Sequence, residues 1–159
     1  SVIKTAELGC KVLGMKNSAA HIEIIMTKKG PRIVEIGARN GGYRDRMHRL
    51  ANDIDLLDIQ LDIKLGKSPN INTLTHHPVA VLELFPKKAG IFSGIDNEKE
   101  VHNLSSLIYF KTKQKIGDYV GKAGDGYKMC AIIILHNSDP KQFEKDLDFV
   151  NNSVRVITN

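Results

Sequence analysis

The chain has 159 residues, 42% of them hydrophobic, with a formal net charge of +5 and a pI near 9.2. This is enough for one compact domain or two small subdomains, and no run approaches the roughly 18 unbroken apolar residues of a membrane helix. The basic residues are scattered apart from pairs such as Lys28-Lys29 and Lys87-Lys88, and the few Phe and Tyr, with no Trp, form no aromatic-basic motif, which argues against nucleic acid as a partner.

The charge is read instead as a solvated surface with some attraction for anionic small molecules such as phosphates. No signal peptide is visible and the chain starts at Ser1 without a Met, so the expectation is a piece of a longer, cytoplasmic protein. The two cysteines, Cys10 and Cys130, lie far apart in apolar segments and are expected to be reduced core residues.

Residues 2–13 predict a helix, with Ile3, Ala6, Cys10 and Leu13 on one stripe and Gly14 as its stop. After a short connection at 17–20 comes HIEIIMTKKGPRIVEIGARNGG, residues 21–42. It reads as a β-hairpin followed by a Gly-rich loop. Each strand carries one glutamate in an apolar run, Glu23 and Glu35. Opposite residues of an antiparallel pair share a face. A register that sets Glu23 opposite Glu35 also sets Met26 opposite Arg32 and leaves 27–31 as the loop. One face then holds Ile22, Ile24, Met26, Val34 and Ile36. The other holds His21, Glu23, Ile25, Ile33, Glu35 and Gly37. Shifting the register by one residue mixes both faces, so the first pairing is preferred.

The loop at 38–42 supplies Arg39, whose planar fork suits carboxylate or phosphate oxygens, then Asn40 and the Gly41-Gly42 pair, which permits close backbone approach. Residues 43–50 read as a polar, basic connection. Arg44 and Arg46 either face the same anion as Arg39 or are surface arginines. Asp53 or Asp55 is expected to cap a helix running to Leu65, with Ile54, Leu57, Leu61 and Leu65 as its stripe and Gly66 as its stop. Its acidic residues read as a solvated face.

Residues 67–77 are a Ser, Pro, Asn and Thr linker, and the composition shift sets a boundary between residues 1–68 and 69–159. The adjacent His76-His77 is not a metal site, since successive side chains of an extended chain point apart. The second part predicts strands at 79–85, 90–95, 107–112, 127–135 and 154–157, with a turn at Gly117-Asp118. A helix starts at Ser138-Asp139-Pro140, its stripe formed by Phe143, Leu147 and Val150. The loop KAGDG at 122–126 carries no assignment. The fold class is α+β: antiparallel sheet with packed helices.

Two glutamates opposed on one sheet face repel, and the pair asks for a cation between them. With Arg39 and the glycine turn nearby, the chemistry suits Mg²⁺ (or Mn²⁺) held between protein and a polyphosphate, because Mg²⁺ takes oxygen ligands and keeps water and phosphate in its shell. Zinc is disfavoured: no Cys is near and His21 is the sole imidazole of that face. A glycosidase-type acid pair lacks an aromatic platform for a sugar. Two solvent-facing glutamates on an edge hairpin remain the plain structural alternative.

At HIEII…GPRIVEIGARNGG, and onward through PKKAGIFSGI (residues 86–95), the sequence resembles the ATP-grasp superfamily, nearest its carboxylate–amine ligases and its carbamoyl phosphate synthase and biotin carboxylase branch. The resemblance covers most of the chain, as the C-terminal part of such an enzyme. It implies that ATP phosphorylates a small-molecule carboxylate to an acyl phosphate, which an amine then attacks. Glu23 and Glu35 match the family's metal-binding acids and Arg39 its catalytic arginine, while His21, Asn40, Gly41 and Gly42 fall at the nucleotide and phosphate side. One position departs: Gly37 stands where the family has an Asn ligand. The family's preceding domain, with its covering glycine loop and adenine-side lysines, has no counterpart in these residues. The expected partner is that missing N-terminal half, and the piece alone is expected to be inactive. A homodimer would also use exposed surface of this kind. The alternative functions are a non-catalytic assembly module of the same fold and, below it, a basic nucleic-acid-binding domain.

Overall fold

In a computed structural model of the chain, residues 1–71 and 75–159 are described. The chain divides into two compact units, Ser1–Leu74 and Thr75–Asn159, so the break falls later in the linker than the 68/69 boundary. Part of that linker, residues 72–74, lies outside the described residues.

The first unit runs α1 (Val2–Val12), β1 (His21–Thr27), β2 (Gly30–Gly37), α2 (Arg44–Asn52) and α3 (Leu56–Lys64). Ser1 caps α1 through its side chain to the Lys4 amide. The helix closes with Gly14 at φ +66°, where the Met15 amide reaches the Cys10 carbonyl and the Gly14 amide the Lys11 carbonyl, a left-handed glycine stop. Gly66 ends α3 in the same way, at φ +75°. Asp55 caps α3, accepting from the amides of Leu57 and Asp58.

Three expectations for this unit need correction. Residues 43–50 are not a connection: α2 forms there, mostly polar, with Met47, Leu50 and Ala51 as a narrow half-buried apolar stripe. The stripe expected for α1 is split, since Ile3 and Leu13 are exposed and the inward contact is made at Gly9, whose Cα lies against Ile33 and Ile36. The stripe expected for α3 is its outer face, with Leu57, Leu61 and Leu65 all exposed. Its inward face is Leu56, Ile59 and Ile63. The helix is apolar on two sides, so periodicity alone chose between two legitimate stripes. None of the described residues of this unit is fully buried.

The second unit runs β3 (Val79–Leu84), β4 (Gly90–Asp96), α4 (Glu98–His102), β5 (Leu107–Thr112), β6 (Tyr119–Val120), a 3₁₀ turn (Ala123–Asp125), β7 (Ala131–His136), α5 (Pro140–Ser153) and β8 (Arg155–Thr158). All pairings are antiparallel, in two three-stranded sheets ordered β3-β7-β5 and β6-β4-β8. Strand β7 is central to its sheet and every residue from Ala131 to Leu135 is buried, which is why it reads as an unbroken apolar run. It is shorter than the expected 127–135, because residues 127–130 precede the ladder. The short α4 and β6 carry too little periodicity to be read from sequence. Phe92, Ile95, Val101, Cys130, Phe143 and Val150 fill the core with β7.

Among the described residues two polar ones are buried there, Ser106 and Asp146, and they bond to each other. Asp146 on α5 is 4% exposed and accepts hydrogen bonds from the Ser106 amide (3.0 Å), Ser105 Oγ (3.3 Å) and Gln142 Nε2 (2.8 Å). It ties α5 to the start of β5. Replacing it with Ala strands the Ser106 amide, so Asp146→Ala is expected to cost about 1–3 kcal/mol in urea unfolding followed by circular dichroism. Burial also pushes the Cys130 thiol up from its usual value of 9.0. In native protein at neutral pH, iodoacetamide is expected to label Cys10, on the partly exposed α1, and to reach Cys130 only after unfolding.

Candidate functional site

The site is built on the β1–β2 hairpin. His21 pairs with Gly37, Ile22 with Ile36 and Glu23 with Glu35. The two carboxylates therefore sit directly opposite on one face, where Cβ atoms of paired residues lie about 4.5–5.5 Å apart. Beyond them the register slips: Ile24 pairs with Ile33, Ile25 with Arg32, Met26 with Pro31 and Thr27 with Gly30. Val34 is the extra residue of a β-bulge.

The bulge corrects the expected hairpin at its outer end. The turn is Lys28-Lys29 alone, not 27–31, because the slip brings Thr27 opposite Gly30. Thr27 Oγ1 donates to the Gly30 carbonyl at 2.8 Å and accepts from the Lys29 amide at 3.1 Å, while Gly30 takes φ +94°. The slip also exchanges two side chains between faces. Ile33 joins Ile22, Ile24 and Ile36 against α1, and Val34 is turned out to 57% exposure. Met26, expected on the core face, is 65% exposed.

Glu23 and Glu35 are not buried, as their apolar flanks suggested; their side chains are 56% and 57% exposed. Each has its own basic neighbour. His21 Nε2 lies 3.6 Å from Glu23 Oε1, and Arg39 Nη2 lies 3.9 Å from Glu35 Oε1. Arg39 folds back over Gly37, its Cγ, Nε and Cζ standing 3.5–3.8 Å from where a Cβ at that position would be. A larger residue at 37 would share that space. Arg39 also donates to the Asn40 carbonyl at 3.1 Å.

The loop after β2 turns the chain toward α2 and α3. Asn40 Nδ2 donates to Gln60 Oε1 at 3.0 Å and approaches the Leu56 carbonyl at 3.5 Å, so its amide nitrogen anchors the loop to α3. At Gly41 a Cβ would meet His21 Nδ1 at 2.6 Å and Arg44 Cγ at 2.7 Å; only glycine lets those two side chains close on the loop. At Gly42 a Cβ would meet nothing within 4 Å. Tyr43 then enters α2 in a left-handed conformation, φ +57°, with no side-chain cap on the helix. Arg49 of α2 pairs with the cap residue Asp55 of α3.

The hairpin thus brings together His21, Glu23, Glu35, Gly37 and Arg39. A cleft of about 460 Å³ adjoins it, lined by His21, Ile22, Asn40, Gly41, Arg44, His48, Gln60 and the inner face of α3. Sequence reasoning missed Gln60 and His48; the Leu56, Ile59, Ile63 spacing was the available signal for the inner face. Among the described residues no cluster of three or more His, Cys, Asp or Glu is placed to hold a metal. The paired glutamates offer two hard oxygen donors, which fits Mg²⁺ with its remaining positions on water or phosphate. No described helix is long and apolar enough to cross a membrane.

This arrangement of hairpin, loop and following antiparallel unit is the C-terminal part of the ATP-grasp fold found in ligases. The chain superposes on an L-amino acid ligase from Bacillus licheniformis with a TM-score of 0.81 and 17% identity, over 99% of this chain and 40% of that one. It matches phosphoribosylglycinamide synthetase from Anaerococcus prevotii at 0.67, with 16% identity over 97% of this chain and 40% of that one. N5-carboxyaminoimidazole ribonucleotide synthetase from Thermotoga maritima matches at 0.62, with 13% identity over 98% and 41%. In sequence, 36 residues are 50% identical to dapdiamide A synthase from Enterobacter agglomerans, 23% of this chain and 8% of that protein. No protein-family model matches.

Close packing at Gly41 makes a local test. Gly41→Ala is expected to cost about 1–3 kcal/mol through overpacking, and Gly42→Ala to stay within about 0.5 kcal/mol, both by urea unfolding.

Proposed function

We propose that the chain is the metal- and phosphate-binding part of an ATP-dependent ligase that activates a carboxylate as an acyl phosphate for attack by an amine. The observation that supports it most is the Glu23–Glu35 pair, opposed on an exposed face with, among the described residues, no third carboxylate to complete a protein cage. Like charges directly opposite each other destabilise a hairpin, and a divalent cation shared with a nucleotide relieves that repulsion. Held by Glu23 and Glu35, Mg²⁺ would supply charge neutralisation for phosphoryl transfer.

The chain's own residues take the other roles. Glu23 and Glu35 hold the ion. Arg39, drawn back over Gly37, is within reach of the same face, and its fork suits the transferred phosphoryl group or the substrate carboxylate. His21 stands beside Glu23 and closes on Gly41. Gly41 and Gly42 let the backbone approach phosphate oxygens, with Asn40 anchoring that loop. ATP and Mg²⁺ (or Mn²⁺) are the cofactors of this reading, and the cytoplasm, which keeps both free cysteines reduced, is its compartment.

The chain spans about 40% of the length of the solved ligases it matches. Exposed Ile3, Leu8, Val12 and Leu13 on α1, and Ile25 and Met26 on the hairpin, leave apolar surface open on a unit with no fully buried residue among those described. We assign that surface to the N-terminal half of an ATP-grasp enzyme, with the first unit completing the catalytic domain and the second forming an α+β subdomain. The name of one matched protein, an L-amino acid ligase, favours an amino acid among the substrates.

Phosphoryl transfer depends on positioning, and half the positioning groups belong to that partner half. The chain alone is therefore expected to give no ATP-dependent condensation of carboxylates with amines, and turnover by the isolated polypeptide would refute this. Its residual nucleotide affinity is expected to depend on metal. ATP should bind about tenfold or more tightly in Mg²⁺ than in EDTA, a gain that Glu35→Gln abolishes. ATP binding equal in both conditions would count against the assignment.

A further inference from the structure

The cleft beside the hairpin has a composition that the nucleotide reading does not use. Its floor is aliphatic: Ile22 from β1 and Leu56, Ile59 and Ile63 from the inner face of α3. Its polar wall is largely committed internally. Asn40 is bonded to Gln60, and His48 Nδ1 lies 3.3 Å from Asn52 Nδ2. Arg44 differs. Among the described residues it pairs with no carboxylate, and its guanidinium meets only the Met47 sulfur, at 3.3 Å. Arg39 and Arg49, by contrast, each stand beside an acid. Gly41 holds Arg44 and His21 together at the cleft wall, since a Cβ there would strike both. His21 in turn reaches Glu23, so the cleft and the carboxylate pair share one side chain.

We propose that this cleft binds the carboxylic acid substrate and selects one with a branched aliphatic group. The carboxylate meets Arg44 and the aliphatic group lies on Leu56, Ile59 and Ile63. The inference rests on the ligase reading and adds the substrate class. One cation matches one carboxylate in charge and fork geometry. Four aliphatic side chains at the floor disfavour a polar or second charged group, which would be left unpaired. A cleft of 460 Å³ lies within the usual range for a small ligand, about 300–1,000 Å³. An amine is disfavoured by the Arg44 charge.

The test is a ligand-observed NMR titration of the 159-residue chain in EDTA, without nucleotide, using isovalerate, acetate and isoamylamine as probes. Isovalerate is expected to bind, with acetate and isoamylamine about tenfold weaker or more, and Arg44→Gln is expected to weaken isovalerate by a similar factor. Arg44 is exposed, so this variant is expected to keep the wild-type circular dichroism. Absent isovalerate binding, equal binding of the three probes, or an unchanged affinity in Arg44→Gln would overturn the proposal. Because metal and ATP are left out, a failed ATP titration alongside intact isovalerate selectivity removes the ligase reading and not the cleft assignment.

Discussion

Two like charges set face to face across a hairpin are the constraint around which the first unit is arranged. Glu23 and Glu35 are cross-strand partners, and nothing in β-sheet packing favours that choice. Each is met from one side by a base, His21 or Arg39, yet both stay more than half exposed. The bases are attached to the site by two glycines. Gly37 leaves room for Arg39 to lie back along the strand, and Gly41 leaves room for His21. Charge repulsion, its partial relief and the small residues that permit it form one system, with space left at the surface for a cation.

The other side of the same hairpin explains how the face is presented. Ile33 and Ile36 pack on α1 at Gly9, and Ile22 and Ile24 line a groove with Ala6 and Cys10 of the same helix. The bulge at Val34 lets the paired glutamates and the short Lys28-Lys29 turn coexist in one ladder. The second unit is different in kind. Its core is closed around β7, with Asp146 bonded inside it. One unit thus carries the candidate chemistry on thin packing, and the other carries the well-packed core.

Much of this was legible in the residues. The Glu23–Glu35 pairing followed from face purity, since the preferred register gave one wholly apolar face, Ile22, Ile24, Met26, Val34 and Ile36, and left both glutamates on the other. The glycine stops of α1 and α3 and the Asp139-Pro140 start of α5 followed from local backbone chemistry. What was not legible has physical causes. A bulge changes no composition, so the fate of Ile33 and Val34 could not be read from alternation. Helix α2 has only the short Met47, Leu50, Ala51 stripe to announce it, in an otherwise charged run. Helix α3 has two, and the exposed one was chosen because nothing in a single sequence says which side meets the hairpin. The exposure of the glutamates was hidden for a similar reason: apolar neighbours in a strand imply one buried face, not two.

The claim that the opposed carboxylates form the cation site is tested most directly by titrating Mn²⁺ into ¹⁵N-labelled protein and following paramagnetic broadening residue by residue. The amide signals of Glu23, Glu35 and Gly37 are expected to broaden first, at the lowest metal concentration. Broadening that begins at the acidic residues of α3, or that is spread evenly over the surface, would contradict the account.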